Sequence, residues 1–298
     1  MRHIVFGIVV IGSLALVTPV RGEGDPPADA PVVKLIAAGK APKRTLRLAA
    51  TAGHHEIVTM TMAMGMGMQS GGKDIVPMTR IPEIRMAIDL TVGSVTAGGD
   101  MRCTFKINEP EIATDASVDP QVVAAMKKAV VGMDGMSGYA VITNRGFTTE
   151  ADFTTGPNLD PQLKQLLDGM RQSLRQLAAP LPAEPVGKGA RWETTSKLVL
   201  NGMTMTQVAT YELVELAGTT ARLKVAMKQN AGRQKIQRGG VSIDLISLAS
   251  SGTGEVTLDL TDLIASPATM SMKSAMEMEA AGQKMNMNIT MTLGTKRK

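Results

Sequence analysis

The sequence predicts an α+β fold: a large curled antiparallel sheet, a half-open barrel of about ten or more strands, with two helices packed on it. Three observations carry this. Apolar residues alternate with period two over long stretches. Each alternating row backs onto a polar row, as in antiparallel sheets that are wet on one side. Two Asp-Pro pairs, at 119–120 and 160–161, open apolar stripes at helical spacing.

The elements follow in chain order. Met1 to Gly22 reads as a secretory signal: Arg2 is the positive n-region, Ile4 to Val17 the short apolar core, and Val20-Arg21-Gly22 a small-x-small cleavage site. That core is shorter than the roughly 20 residues a bilayer span needs. No Cys follows it for lipid attachment. The expectation is an exported protein, periplasmic or extracellular, with no transmembrane helix in the mature chain. Residues 23–43, rich in Pro, Ala, Gly and charge, read as a flexible leader. A single β-rich domain is expected over 44–298.

Leu46 and Leu48 begin the alternation. The next row is Val58, Met60, Met62, Met64, Met66 and Met68, backed by Ile57, Thr59, Thr61, Ala63, Gly65 and Gly67. The two glycines point to a bend or a close crossing. A third row runs through Ile84, Met86, Ile88, Leu90 and Val92, and a fourth through Met101, Cys103, Phe105 and Ile107. Helices are predicted near 119–131 and 160–178. The first carries Val122, Val123, Met126 and Val130, the second Leu163, Leu166, Leu167, Met170, Leu174 and Leu177. Between them, Tyr139–Thr143 and Phe147–Phe153 form a hairpin about Asn144-Arg145-Gly146. Strands resume at Trp192–Leu200, Met203–Leu216, Thr220–Met227 and Glu255–Leu260. The last pair sets Met270, Met272, Met276 and Met278 against Met285, Met287, Ile289, Met291 and Leu293.

Composition narrows the function. With 44% hydrophobic and 20% charged residues the chain is neither disordered nor fibrous. One Cys excludes an internal disulfide and a cysteine zinc framework. The net charge of +5 shrinks once residues 1–22 are removed, leaving 30 basic against 27 acidic residues. The basic residues are scattered, and Lys296-Arg297-Lys298 reads as a solvated tail. Nucleic-acid binding would need a basic stripe and stacking aromatics, and neither is present.

Catalytic groups are scarce. His54 and His55, adjacent on a strand, point to opposite faces. Cys103 lies on an apolar face without a basic neighbour. Ser70-Gly71-Gly72-Lys73 has the S-x-x-K form of penicillin-recognising enzymes but lacks the companion motifs and sits in a loop. Asn288-Ile289-Thr290 is a glycosylation sequon by form. The expectation is a protein that is not an enzyme and carries no cofactor or bound metal.

The 23 Met outnumber the four Phe, two Tyr and one Trp together. Three readings of them stand open. Met re-packs around varied partners, so a curled sheet could hold a lipid or other apolar small molecule. The rows could instead close on one another in an envelope protein that acts by binding a protein partner. Thioethers also suit copper(I). In the leading reading the ligand is lined by Val58, Met60, Met62, Met64, Met66, Met68, Ile84, Met86, Ile88, Leu90, Met101, Phe105, Met270, Met272, Met276, Met278, Met285, Met287 and Met291.

The passage Leu181-Pro182-Ala183-Glu184-Pro185-Val186-Gly187-Lys188-Gly189-Ala190-Arg191-Trp192 follows an amphipathic stripe and opens a strand. Its Pro-Val-Gly-x-Gly-x-x-Trp core resembles the central signature of an uncharacterised family of bacterial exported proteins, a domain of unknown function. The resemblance extends by layout over about residues 44–295, through the Met-alternating Thr59-Met60-Thr61-Met62 strand and the closing hairpin. It implies no catalytic residues. The layout is also similar to the half-open barrels of periplasmic lipoprotein carriers, which implies a curved sheet and helices around an acyl chain.

Overall fold

The computed structural model describes residues 30–113, 120–154, 180–200, 202–238, 241–280 and 282–298. They form one antiparallel sheet of 13 strands. In chain order these are β1 (Val32–Ala37), β2 (His55–Ser70), β3 (Lys73–Val95), β4 (Met101–Ile112), β5 (Ser137–Ile142), β6 (Thr148–Thr154), β7 (Arg191–Leu200), β8 (Met203–Ala217), β9 (Thr220–Ala231), β10 (Gln234–Arg238), β11 (Val241–Asp259), β12 (Ala268–Ala280) and β13 (Gln283–Arg297). Their spatial order is β1-β7-β8-β9-β11-β12-β13-β2-β3-β4-β5-β6, with β10 added onto β11 beyond the end of β9.

This corrects the α+β expectation. The described residues are nearly all strand, and among them no layer of helices covers the sheet. One helix, α1 (Pro120–Val131), packs against β4 with Val130 buried. The helix expected near 160–178 lies outside the described residues. Strands occupy more of the chain than the alternation reveals. β1 arises within the stretch expected to be a flexible leader, and Val33 and Leu35 pack against the core while β1 pairs with β7. β11 begins well before Glu255, because Ser250, Gly252 and Gly254 hold its inward positions and erase the apolar signal.

The main buried cluster takes Trp192 from β7 at one end of the strand order, with half-buried Val33 and Leu35 of β1 packed against it. It draws Cys103, Ala140 and Ala151 from β4, β5 and β6 at the other. Two ends of a single sheet meet in one core only if the sheet curls around its apolar face. An extended crossing at 44–50 seals one end of the curl. Arg44 bridges Val186, the Leu48 N–H donates to the Asn144 carbonyl at 2.7 Å, the Ala49 N–H donates to the Leu260 carbonyl at 2.6 Å, and Leu46 is fully buried. Arg47 reinforces this end by donating to the carbonyls of Pro182 and Ala183 at 3.0 and 3.1 Å.

The bend expected behind Gly65 and Gly67 has a backbone cause. The β2–β3 register shifts between Met62 and Met64, whose partners Ile84 and Ile81 flank Pro82. It shifts again between Met66 and Met68, whose partners Thr79 and Val76 flank Pro77. Proline has no N–H to give the ladder, so each one forces an irregularity. The Lys296-Arg297-Lys298 run is no solvated tail: Lys296 and Arg297 pair with Thr59 and Val58 of β2, and the Lys298 N–H donates to the Ile57 carbonyl.

Candidate functional site

Cross-strand register builds the methionine face. Across β12, β13, β2 and β3, the rows read Met270–Leu293–Met62–Ile84, Met272–Met291–Met64–Ile81, Ser274–Ile289–Met66–Thr79 and Met276–Met287–Met68–Val76. Directly opposed residues on antiparallel strands share a face, with Cα atoms about 4.5–5.5 Å apart. The four rows therefore form one contiguous, largely apolar surface on the inner side of the curl, with Ser274 and Thr79 the polar residues at its edges.

The residues expected to line a ligand site divide by burial. Val58, Met86, Leu90, Met101, Phe105 and Met278 are at most 9% exposed and serve as packing. Leu90 and Met101 belong to the main core, and Phe105 makes an edge-to-face contact with Phe153 at 5.6 Å. Met60, Met62, Met64, Met66, Met68, Ile84, Ile88, Met270, Met272, Met276, Met285, Met287 and Met291 are half-buried. Of these, Met270, Met276 and Ile88 lean on buried clusters, and the remainder belong to none. The gradient runs along the strands. The sealed end is packed with Leu, Val, Ala and Trp, and the half-buried surface beyond it is methionine.

Open concavities among the described residues also lie on the outer, polar face. One of about 750 Å³ is lined by Thr210, Ser251, Thr253, Ser271 and Thr290, with Lys228 and Lys273, and is also bordered by Met227, Met272 and Met291. A smaller one of about 390 Å³ adjoins it beside Arg191 and Glu212. Both are open troughs in the twisted sheet without a stacking aromatic; hydroxyl side chains dominate the first, and charged groups, Lys224 and Glu255 among them, the second.

One polar cluster intrudes on the apolar side. His54, Glu56 and Asp262 bring ligand-type atoms within 4.8 Å of one another. Glu56 is 4% exposed, and its carboxylate accepts the N–H groups of Leu263 and Ile264 at 2.9 and 3.4 Å. Asp262 is 5% exposed, lies 3.2 Å from His54 Nε2, and forms an ion pair with Arg297. Backbone donors satisfy one carboxylate and a guanidinium balances the other. The cluster is thus a clasp joining the start of β2, the β11–β12 loop and the end of β13. Sequence reasoning missed Glu56, Asp262 and Arg297. The available signal was parity: Glu56 continues the inward row of Val58 and Met60, where a charge requires a buried partner.

Burial raises the Glu56 pKa, the Leu263 N–H opposes that rise, and the neighbouring Asp262 adds to it. A carboxyl raised in the folded state holds its proton where the unfolded chain has lost it. Its contribution to stability therefore falls as pH rises through the ordinary carboxyl range toward the folded value. Urea titrations across this window should show the wild type gaining stability relative to Glu56→Gln as pH is lowered. A pH-independent difference would remove the assignment.

His55 stands on the opposite face from His54, paired with Asp89 at 2.8 Å. Ser70 to Lys73 is the β2–β3 turn, with Gly71 and Gly72 at positive φ, so the S-x-x-K form marks a hairpin tip. Cys103 is fully buried, its thiol donates to the Ala140 carbonyl at 3.5 Å, and burial pushes its pKa up to about 11. A thiol reagent at mildly alkaline pH should leave Cys103 unmodified in the folded protein and label it fully in denaturant. Rapid labelling of folded protein would show that the β4–β5 core opens.

Residues 148–265 match the model of DUF6263, a family of unknown function. The match spans the Pro-Val-Gly-x-Gly-x-x-Trp passage and runs from β6 through the β11–β12 loop, a narrower reach than residues 44–295. No curated protein matches the chain. No described helix is long and apolar enough to cross a membrane.

Proposed function

We propose that this chain is an exported, non-enzymatic protein that holds a lipid or other apolar small molecule against the methionine face of its curled sheet. The observation that carries the reading is the contiguous patch across β12, β13 and β2, in register, half-buried and mostly outside the buried clusters. Unbranched thioether side chains re-pack at low cost, so such a surface accommodates acyl chains of differing shape. The sealed end gives the ligand a floor, and the polar outer face keeps the protein in water.

Protein purified from its source and examined by native mass spectrometry should carry a co-purifying apolar molecule, released on denaturation. A clean apo mass, together with no uptake of a fluorescent fatty acid, would end the proposal. A second reading, an interaction protein of the cell envelope with a closed core, draws on the edge strand β1, where Val32 and Ile36 are 69% and 51% exposed. It expects no ligand and a crosslinked partner at that edge.

A further inference from the structure

Methionine is concentrated where the sheet brings it into register. On neighbouring β9 and β11, the same face is packed chiefly with Leu223, Leu245, Leu248 and Leu258, and Met227 is its one methionine. An apolar requirement alone is met there by leucine. On β12, β13 and β2, two rows consist entirely of methionine: Met272–Met291–Met64 and Met276–Met287–Met68. Single-strand spacing separates i and i+2 side chains by nearly 7 Å. Cross-strand neighbours are closer, so in each row the central methionine stands about 5 Å from both others, and three rotatable bonds let the flanking thioethers swing in over it.

We propose that each of these triads is a site for a soft monovalent cation, copper(I) or silver(I), held by three thioether sulfurs. Neutral, polarisable sulfur selects soft ions, and no carboxylate stands in either row to attract a hard divalent one. Three adjacent donors match the low coordination numbers of a filled-shell monovalent ion. All six side chains are half-buried, so an ion reaches them without unfolding the sheet. Beside Met272, β11 contributes Gly252, which puts no side chain over the first triad. The row between the triads, Ser274–Ile289–Met66, has one methionine, so the sites are separate. This inference needs only an accessible face and does not depend on an apolar ligand.

The test titrates wild-type protein, free of reductant thiols, with silver(I) as a redox-inert probe and with copper(I) under anaerobic conditions against a copper(I) chelator. Two equivalents should bind per chain, and the methyl NMR signals of the six methionines should shift while those of buried Met86 and Met101 stay still. Met64→Leu/Met272→Leu/Met291→Leu should halve the stoichiometry, as should Met68→Leu/Met276→Leu/Met287→Leu. Both variants keep the apolar volume, and fatty-acid uptake is read on the wild type alone. Absence of binding, or binding that leaves the six methyl signals unmoved, overturns the proposal. Fatty-acid uptake then reports on the ligand reading separately, and the wild-type NMR arm stands even if a triple variant does not fold.

Discussion

Trp192→Ala is expected to destabilise the protein by about 3–5 kcal/mol, the range for removing a buried aromatic side chain. Trp192 is 1% exposed and stacks on Tyr211 with ring centroids 5.4 Å apart and planes 12° from parallel. Its indole Nε1–H donates to the Pro180 carbonyl at 3.1 Å. The ring therefore joins three features of the sealed end: the β7–β8 pair, the Pro180–Ala190 approach, and the cluster containing Leu46, Val186 and Leu213. Deletion leaves a cavity and a buried carbonyl without its donor. Trp192→Phe keeps an aromatic face for Tyr211 and should cost less. Denaturant unfolding followed by circular dichroism measures both. Equal, small losses would show that the ring does not organise this end.

Gly187→Ala should cost at least about 3 kcal/mol, the upper part of the overpacking range, because the obstruction is backbone and cannot rotate away. A Cβ at Gly187 would sit 1.9 Å from the Lys40 carbonyl oxygen and 2.8 Å from that of Pro42. Here the strand leaving β1 crosses the approach to β7 with the two main chains in contact. The Gly187 N–H donates to the Ala38 carbonyl at 2.9 Å, and the Lys40 N–H donates to the Lys188 carbonyl at 2.8 Å. Pushing the chains apart breaks both bonds and lifts β1 from the sheet edge. Gly189→Ala provides the contrast. Gly189 has φ near +80° but nothing within 4 Å of its Cβ position, so its cost is left-handed strain alone, about 1–2 kcal/mol. Thermal or chemical unfolding should rank Gly187→Ala well below Gly189→Ala, and the reverse order would refute the crossing.

These residues show what the sequence made legible. The Pro-Val-Gly-x-Gly-x-x-Trp passage reads as a local turn and anchor, which it is, but the partner that makes Gly187 obligatory is Lys40, far away in the chain. The long methionine rows were legible because period-two alternation is strong in β2, β12 and β13. Which rows face one another was not, since register depends on pairing across strands. β1 and the first half of β11 were illegible for different reasons. β1 is six residues inside a Pro- and Ala-rich context, and β11 replaces inward apolar residues with Ser250, Gly252 and Gly254. The excess of strand over helix followed from these omissions. The Glu56–Asp262–Arg297 clasp joins residues from β2, a loop and the chain end, and its only trace in the sequence is a charge at an inward position.

The most direct measurement on the central claim is a fluorescent fatty-acid titration of wild type beside Met66→Glu and Thr292→Glu. Met66 lies mid-face, half-buried and paired with Ile289. Thr292 is exposed on the outer face. A carboxylate at Met66 would have to be desolvated under the ligand, so affinity should fall by at least about tenfold. Thr292→Glu should bind as wild type does. Equal affinities for all three proteins, or no saturable binding by any, would contradict the assignment of the methionine face as the ligand surface.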